Sequence, residues 1–165
     1  MPLFSKILRL SLVCSIVLCL AGCGGEPRPD GFPTLYPVSL QFMQEGEPVA
    51  EAAVVLLPQD GSKWSSGGAT DSDGIATFRT HGKFSGVPAG RYKVMVTKQE
   101  VVPRGAAAPD PLGTYGGPVD VYDLISPDFF QPDATPLEIE VVSGRNTFEP
   151  IDLGKKVRIR VPPTF

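Results

Sequence analysis

Outside its first 22 residues, the chain is patterned with a period of two. Val38, Leu40 and Phe42 alternate with Ser39, Gln41 and Met43. Ala76, Phe78 and Thr80 alternate with Ile75, Thr77 and Arg79. Tyr92, Val94 and Val96 alternate with Arg91, Lys93, Met95 and Thr97. Leu137, Ile139 and Val141 alternate with Glu138, Glu140 and Val142, and Val157, Ile159 and Val161 with Lys156, Arg158 and Arg160. Side chains of a strand point alternately to its two faces, so each run reads as a strand with one face toward a core. The run Ala53, Val55, Leu57 has apolar companions as well, which predicts burial on both faces or a covering loop. No stretch of ten or more residues places apolar side chains at helical spacing beyond the leader.

The punctuation between runs fits short antiparallel strands. Gln44-Glu45-Gly46-Glu47-Pro48 reads as a hairpin turn, and Gln59-Asp60-Gly61 and Asp71-Ser72-Asp73-Gly74 as Asp/Gly turns. The chain carries 18 Gly and 18 Pro, a composition suited to a turn-rich β protein. About seven short strands with such turns predict an all-β antiparallel sandwich, spanning residues 36–165. Residues 99–136 form a long Pro-rich insertion before the C-terminal strands. They carry Tyr115, Tyr122, Phe129 and Phe130, and read as a packed crossover, a ligand or partner surface, or disorder.

The first residues carry an address. Lys6 and Arg9 form a short positive start, residues Ile7 to Leu20 are mostly apolar, and Leu20-Ala21-Gly22-Cys23 follows at once. A basic start, an apolar middle and small residues at a cleavage point make a secretory signal over residues 1–22. The apolar run falls short of the roughly 20 residues of a membrane span. Leu20-Ala21-Gly22-Cys23 resembles the lipobox of bacterial lipoproteins. The resemblance implies cleavage before Cys23 and acylation of that residue, palmitate-type chains tying it to a membrane. Each buried CH₂ contributes about 0.8 kcal/mol, so two or three chains hold where one is marginal. Gly24 stands where an Asp marks inner-membrane retention in some bacteria. The resemblance therefore implies a cell-envelope protein of the outer membrane, facing the periplasm or the cell surface. Cys14 and Cys19 lie in the leader and Cys23 is the anchor, leaving no thiol for a disulfide. Residues 23–35, rich in Pro and Gly, read as a tether reaching up to roughly 30 Å, or as a leader lying along the domain.

A second resemblance rests on three motifs in order: Gly46-Glu47-Pro48-Val49-Ala50-Glu51-Ala52-Ala53-Val54, then Thr70-Asp71-Ser72-Asp73-Gly74, then Pro88-Ala89-Gly90-Arg91-Tyr92-Lys93-Val94-Met95-Val96. Together they resemble the carboxypeptidase regulatory-like, or transthyretin-like, family of β-sandwich domains. The stretch Thr135–Val141 with Gly144–Phe148 resembles the end of small lipoproteins carrying that domain. The resemblance covers roughly residues 38–98 and 135–154. It implies an accessory domain without zinc ligands.

Candidate chemistry is sparse. Net charge is −3, and loss of Lys6 and Arg9 with the leader makes the remainder more acidic still. Nothing points to nucleic acid. Asp71-Ser72-Asp73-Gly74 fails as an EF-hand loop, because Ala69 and Thr80 fall where carboxylates are needed. A looser cation site using Asp71 and Asp73 is the minor reading and a plain turn the major one. His81, the sole histidine, reads as an exposed loop residue, and no nucleophile motif accompanies it. No metal or cofactor is expected. Trp64 lies in a stretch that reads as a flexible, exposed loop. It is a candidate ligand or partner contact together with Tyr115 and Tyr122. Glu138 and Glu140 read as solvent-facing, as do Lys156, Arg158 and Arg160, and would pair if their strands were neighbours. The expected function is a non-enzymatic structural or protein-interaction module on a lipid anchor. The alternative is a glycan- or peptide-binding module at the cell surface. Expected partners are the membrane, through the lipid, and an envelope protein or polysaccharide.

Overall fold

The computed structural model describes residues 27–105 and 118–162. They fall in two units, Met1–Phe32 and Pro33–Phe165. In the first, the Phe32 amide donates to the Pro29 carbonyl at 3.1 Å and the Arg28 guanidinium lies 5.7 Å from the Phe32 ring centre. This closes a local turn.

The second unit is an all-β sandwich. Its strands are β1 (Leu35–Tyr36), β2 (Ser39–Gln44), β3 (Glu47–Pro48), β4 (Ala53–Pro58), β5 (Ser66–Ala69), β6 (Ile75–Thr77), β7 (Arg79–Thr80) and β8 (Phe84–Ser85). They continue as β9 (Val87–Pro88), β10 (Gly90–Thr97), β11 (Gln99–Pro103), β12 (Val119–Asp123), β13 (Glu138–Val141), β14 (Ile151–Asp152) and β15 (Ile159–Val161). One sheet has the order β13-β10-β4-β5-β7-β8, antiparallel throughout. The facing sheet is built on β2. Strands β3 and β6 run antiparallel to it, and β14 runs parallel, with Ile151 opposite Phe42. A smaller pair joins β1 to β9, with Leu35 opposite Pro88 and Tyr36 opposite Val87.

Strands are shorter and more numerous than the period-two runs suggest, and one run serves two sheets. Residues 75–80 keep one alternation, yet β6 pairs with β2 while β7 pairs with β5. The crossing point is Phe78, only 3% exposed. A strand that changes sheets keeps its inward parity, so the sequence signal does not register the break.

The two sheets bury one cluster. Val38, Leu40 and Phe42 meet Val54, Leu56, Tyr92, Val94, Val96, Ile139, Val141 and Leu153. Each such side chain contributes about 1.5–3 kcal/mol before entropy is charged. In β4 the buried parity is Val54 and Leu56, while Val55 is 39% exposed, so the expected burial on both faces does not occur. Two-residue turns join strands where the sequence supplies positive φ. Glu45 (φ 52°) and Gly46 (φ 79°) close the β2–β3 hairpin, with Gln44 opposite Glu47.

Residues 99–103 and 119–123 depart most from expectation. Strands β11 and β12 pair over five residues, and β15 adds to β12, forming a three-stranded ribbon. The stretch expected to be insertion therefore holds strand on either side of residues 106–117, followed by a single 3-10 turn at Pro127–Phe129. Val157–Val161 was expected to face the core. Instead β15 is the outer strand of this ribbon, and Ile159 is 43% exposed.

Candidate functional site

The ribbon has two chemically distinct faces, and its register assigns them. Val101 lies opposite Val121, Pro103 opposite Val119, and Val121 opposite Val161. Since every second residue shares a face, Val101, Val119, Val121, Ile159 and Val161 lie on one largely apolar face, which the bonded pair Gln99 and Asp123 bounds at one end. Val101 is 59% exposed and Val119 37%. The other face carries Glu100, Asp120, Tyr122 and Arg160.

On that charged face, Asp120 accepts hydrogen bonds from both Arg104 and Arg160. The Arg104 hydrogen bond, followed by that of Arg160, holds the Asp120 carboxyl below its ordinary range. Arg158 Nε donates to Glu100 at 2.9 Å, and its guanidinium lies 3.7 Å from the Tyr122 ring centre. The Glu100 hydrogen bond raises the Arg158 pKa further. Arg158 and Arg160 therefore pair with the ribbon's own acids. Glu138 pairs instead with Lys93 at 2.9 Å, because β13 and β15 lie in different sheets. The Lys93 hydrogen bond lowers the Glu138 pKa.

The ribbon root is tied to the sandwich by Gln44. This side chain is 6% exposed, and its Nε2 donates to the carbonyls of Lys155 at 3.1 Å and Leu124 at 3.4 Å. Lys156 pairs with Glu47 beside it and depresses the Glu47 pKa. Around these residues is a cavity of about 240 Å³, also lined by Val49, Lys98 and Val157. Gln44 was not among the expected site residues. Its signal was present, because it continues the inward parity of Leu40 and Phe42 with a polar side chain.

Trp64 is half-buried rather than free in a loop. Its ring centre lies 4.9 Å from that of His81, tilted by 48°, and Lys63 Nζ lies 4.8 Å from it. The adjoining strand β5 was expected to be loop. His81 and Gly82, at φ 54° and 69°, make the tight turn between β7 and β8. The hydroxyls of Ser66 and Thr80 bond each other at 2.8 Å, and Thr80 also donates to the Gly86 carbonyl. Trp64 precedes β5 and Tyr122 lies in β12, strands of different sheets, and each ring has its own neighbouring cation. Tyr115 and Cys23 lie outside the described residues.

The Asp71 turn is closed on itself. Asp71 Oδ1 accepts the amides of Asp73 at 3.0 Å and Ile75 at 2.9 Å, the arrangement of a plain Asx turn. Among the described residues, no three of His, Cys, Asp and Glu converge as a metal-ligand set, and no helix is long and apolar enough to cross a membrane.

A separate groove crosses the start of β2. A depression of about 520 Å³ is lined by Ser39, Gln41, Ile75, Arg145 and Phe148, among others. A second, of about 230 Å³, is lined by Phe78, Arg79, Ser85 and Gly86. Pro37, Val38 and Thr77 line both. Asn146 fixes the turn that carries Arg145, since its side chain bonds both the amide and the carbonyl of Val142.

Comparison with known proteins finds no matching family model, no matching curated protein and no matching solved structure.

Proposed function

We propose that the chain is a non-catalytic interaction module of a bacterial cell envelope. In this reading it is a carboxypeptidase regulatory-like sandwich held to a membrane by acyl chains on Cys23. The observation that carries the interaction role is the apolar face of the ribbon. Val55 and Val142 of the sandwich are exposed as well, at 39% and 51%, but Val101, Val119 and Ile159, at 59%, 37% and 43%, share one face of the ribbon. Apolar side chains left in solvent on one strand face suit contact with another macromolecule. The opposite, ion-paired face and the Gln44 tie hold the ribbon in place while that face is presented. An envelope protein on the periplasmic or outer surface is the partner this arrangement suits.

The anchor and the face are tested separately. Mass spectrometry of the wild-type protein is expected to show acyl chains on Cys23, and Cys23→Ser is expected to leave the membrane fraction. An unmodified Cys23, or a variant that partitions like the wild type, defeats the anchor. For the face, a photocrosslinking residue replaces Val101 in whole cells, with Val55 on the sandwich as control. A discrete protein adduct from position 101, missing from position 55, is expected. Equal adducts from both, or none from 101, defeats the interaction role.

A further inference from the structure

We infer that the groove over Pro37, Val38 and Thr77 binds an extended acidic peptide, which adds as a strand to the open edge of β2 and places carboxylates against Arg79 and Arg145. This site is distinct from the ribbon face and depends on neither that face nor the anchor.

The backbone shows the open edge. The Phe42 amide donates to Gly74 and its carbonyl accepts from Val49, so Phe42 points toward β6 and β3. The Met43 carbonyl accepts from Leu153 at 2.8 Å, so Met43 points the other way, toward β14. Main-chain groups of successive strand residues point to opposite edges. Ser39 and Gln41 therefore share the direction of Met43. On that edge β14 reaches only Phe42 and Met43. Residues 145–150 precede β14, yet among the described residues they make no backbone hydrogen bond to β2. The Ser39 amide and carbonyl and the Gln41 amide thus face the groove rather than a strand. Unpaired strand edges of this kind accept added peptides, with main-chain bonds giving affinity and side-chain pockets giving selection.

The charges select the ligand. Arg145 lines one part of the groove and Arg79 the other. No carboxylate lines either part, in a chain whose acids outnumber its bases. Both arginines are exposed, and among the described residues neither has an ion-pair partner. Arginine forms two parallel hydrogen bonds with a carboxylate. Ser39, Gln41 and Thr77 leave room for a backbone to approach, and the half-buried Ile75 and Phe148 offer apolar contacts for alternate side chains.

The test uses the full-length chain in detergent and a fluorescein-labelled pentapeptide, Glu-Val-Thr-Val-Glu, followed by fluorescence polarisation. Controls are the Gln-Val-Thr-Val-Gln peptide, the acidic peptide N-methylated at alternate residues, and polygalacturonate as an acidic glycan. The acidic peptide is expected to bind. Affinity is expected to fall at least tenfold for Arg79→Ala/Arg145→Ala, for the Gln peptide and for the N-methylated peptide. A Val101→Glu variant is expected to bind as the wild type does. Both substituted arginines are exposed, and matching thermal unfolding confirms that the double variant is folded. No binding by the wild type overturns the inference. So does equal binding by the double variant or by the N-methylated peptide, or binding of polygalacturonate with none of the peptide.

Discussion

The Tyr92 hydroxyl donates to the carbonyl of Pro88, four residues earlier, at 2.9 Å, while its ring is 2% exposed in the core. One side chain thus anchors β10 in the sandwich and fixes the bend by which the chain enters it, as tyrosine corners do in other sandwiches. Removing only the hydroxyl leaves the Pro88 carbonyl unpartnered. Tyr92→Phe is expected to cost about 1–3 kcal/mol in urea denaturation. Tyr92→Asp places a charge in the core and is expected to abolish cooperative unfolding. A Tyr92→Asp protein that unfolds at the wild-type midpoint contradicts the placement of β10.

Burial pushes the Tyr92 pKa up to about 12, with Asp60 adding to the effect. The unfolded chain releases this proton near pH 10, so above that pH the unfolded state binds fewer protons than the folded one. The stabilisation is complete below about pH 10 and is lost as pH rises toward about 12, at roughly 1.4 kcal/mol per pH unit. Denaturation midpoints across this window are expected to fall for the wild type and to fall less for Tyr92→Phe. Parallel slopes would show that Tyr92 is not the group responsible.

On the acid side the sign reverses. Asp120, Glu47 and Glu138 are each depressed by a hydrogen-bonded cation: Arg104, Lys156 and Lys93. Their stabilisation is present above the ordinary carboxylate range near pH 4 and is lost as pH falls through their lower folded values. Amides of β11 and β12 are expected to keep their protection from hydrogen exchange down to about pH 4 and to lose it below. Asp120→Asn is expected to weaken that protection already at neutral pH. Ribbon exchange insensitive to both acid and Asp120→Asn would mean that the pairs do not hold the ribbon.

Two glycines are required for different reasons. Gly74 has φ 72°, and a Cβ there would lie 2.5 Å from the Phe42 carbonyl oxygen. Gly68 has ordinary backbone angles, but its Cβ would lie 2.1 Å from the Thr77 carbonyl oxygen. Gly74→Ala is expected to cost at least about 2 kcal/mol, and Gly68→Ala to force β5 away from the chain beneath it. Gly46→Ala, where the site is open and only φ is unfavourable, is expected to cost about 1 kcal/mol. Equal costs at all three positions would remove the close approach as a cause.

Gln44 offers the clearest single test of how the ribbon is rooted. Gln44→Leu keeps the volume and removes both bonds, to Leu124 and Lys155. The expected cost is about 1–3 kcal/mol, with hydrogen exchange accelerating at the junction around residues 124 and 155. Unchanged exchange there would free the ribbon from this tie.

The alternation of Leu40, Phe42, Tyr92, Val94 and Val96 was enough to place the core, because inward parity is the same for any partner strand. The Asp71 turn was equally legible, since its carboxylate is satisfied by neighbours in the chain. Strand β5 was not. Gly67 and Gly68 carry no side chain to alternate, and they lie in a strand for the space they leave rather than the surface they bury. The ribbon was obscured because its apolar residues stay in solvent, and period two tells that a strand has two faces without telling which is covered. Val157–Val161 was misplaced for the same reason. Trp64 looked free because its neighbours in sequence are small and polar, while His81 arrives from another strand.

Gln44 binds a carbonyl 111 residues further along the chain, and β14 beside it pairs with the last part of β2, at Phe42 and Met43. A growing polypeptide therefore cannot finish its second sheet until residues 151–155 have been made. Until then Phe42 and Met43 lack their neighbour on that side. Topologies closed by such distant segments acquire their native state late and slowly, and an unfinished copy is the form most exposed to sticking to its neighbours.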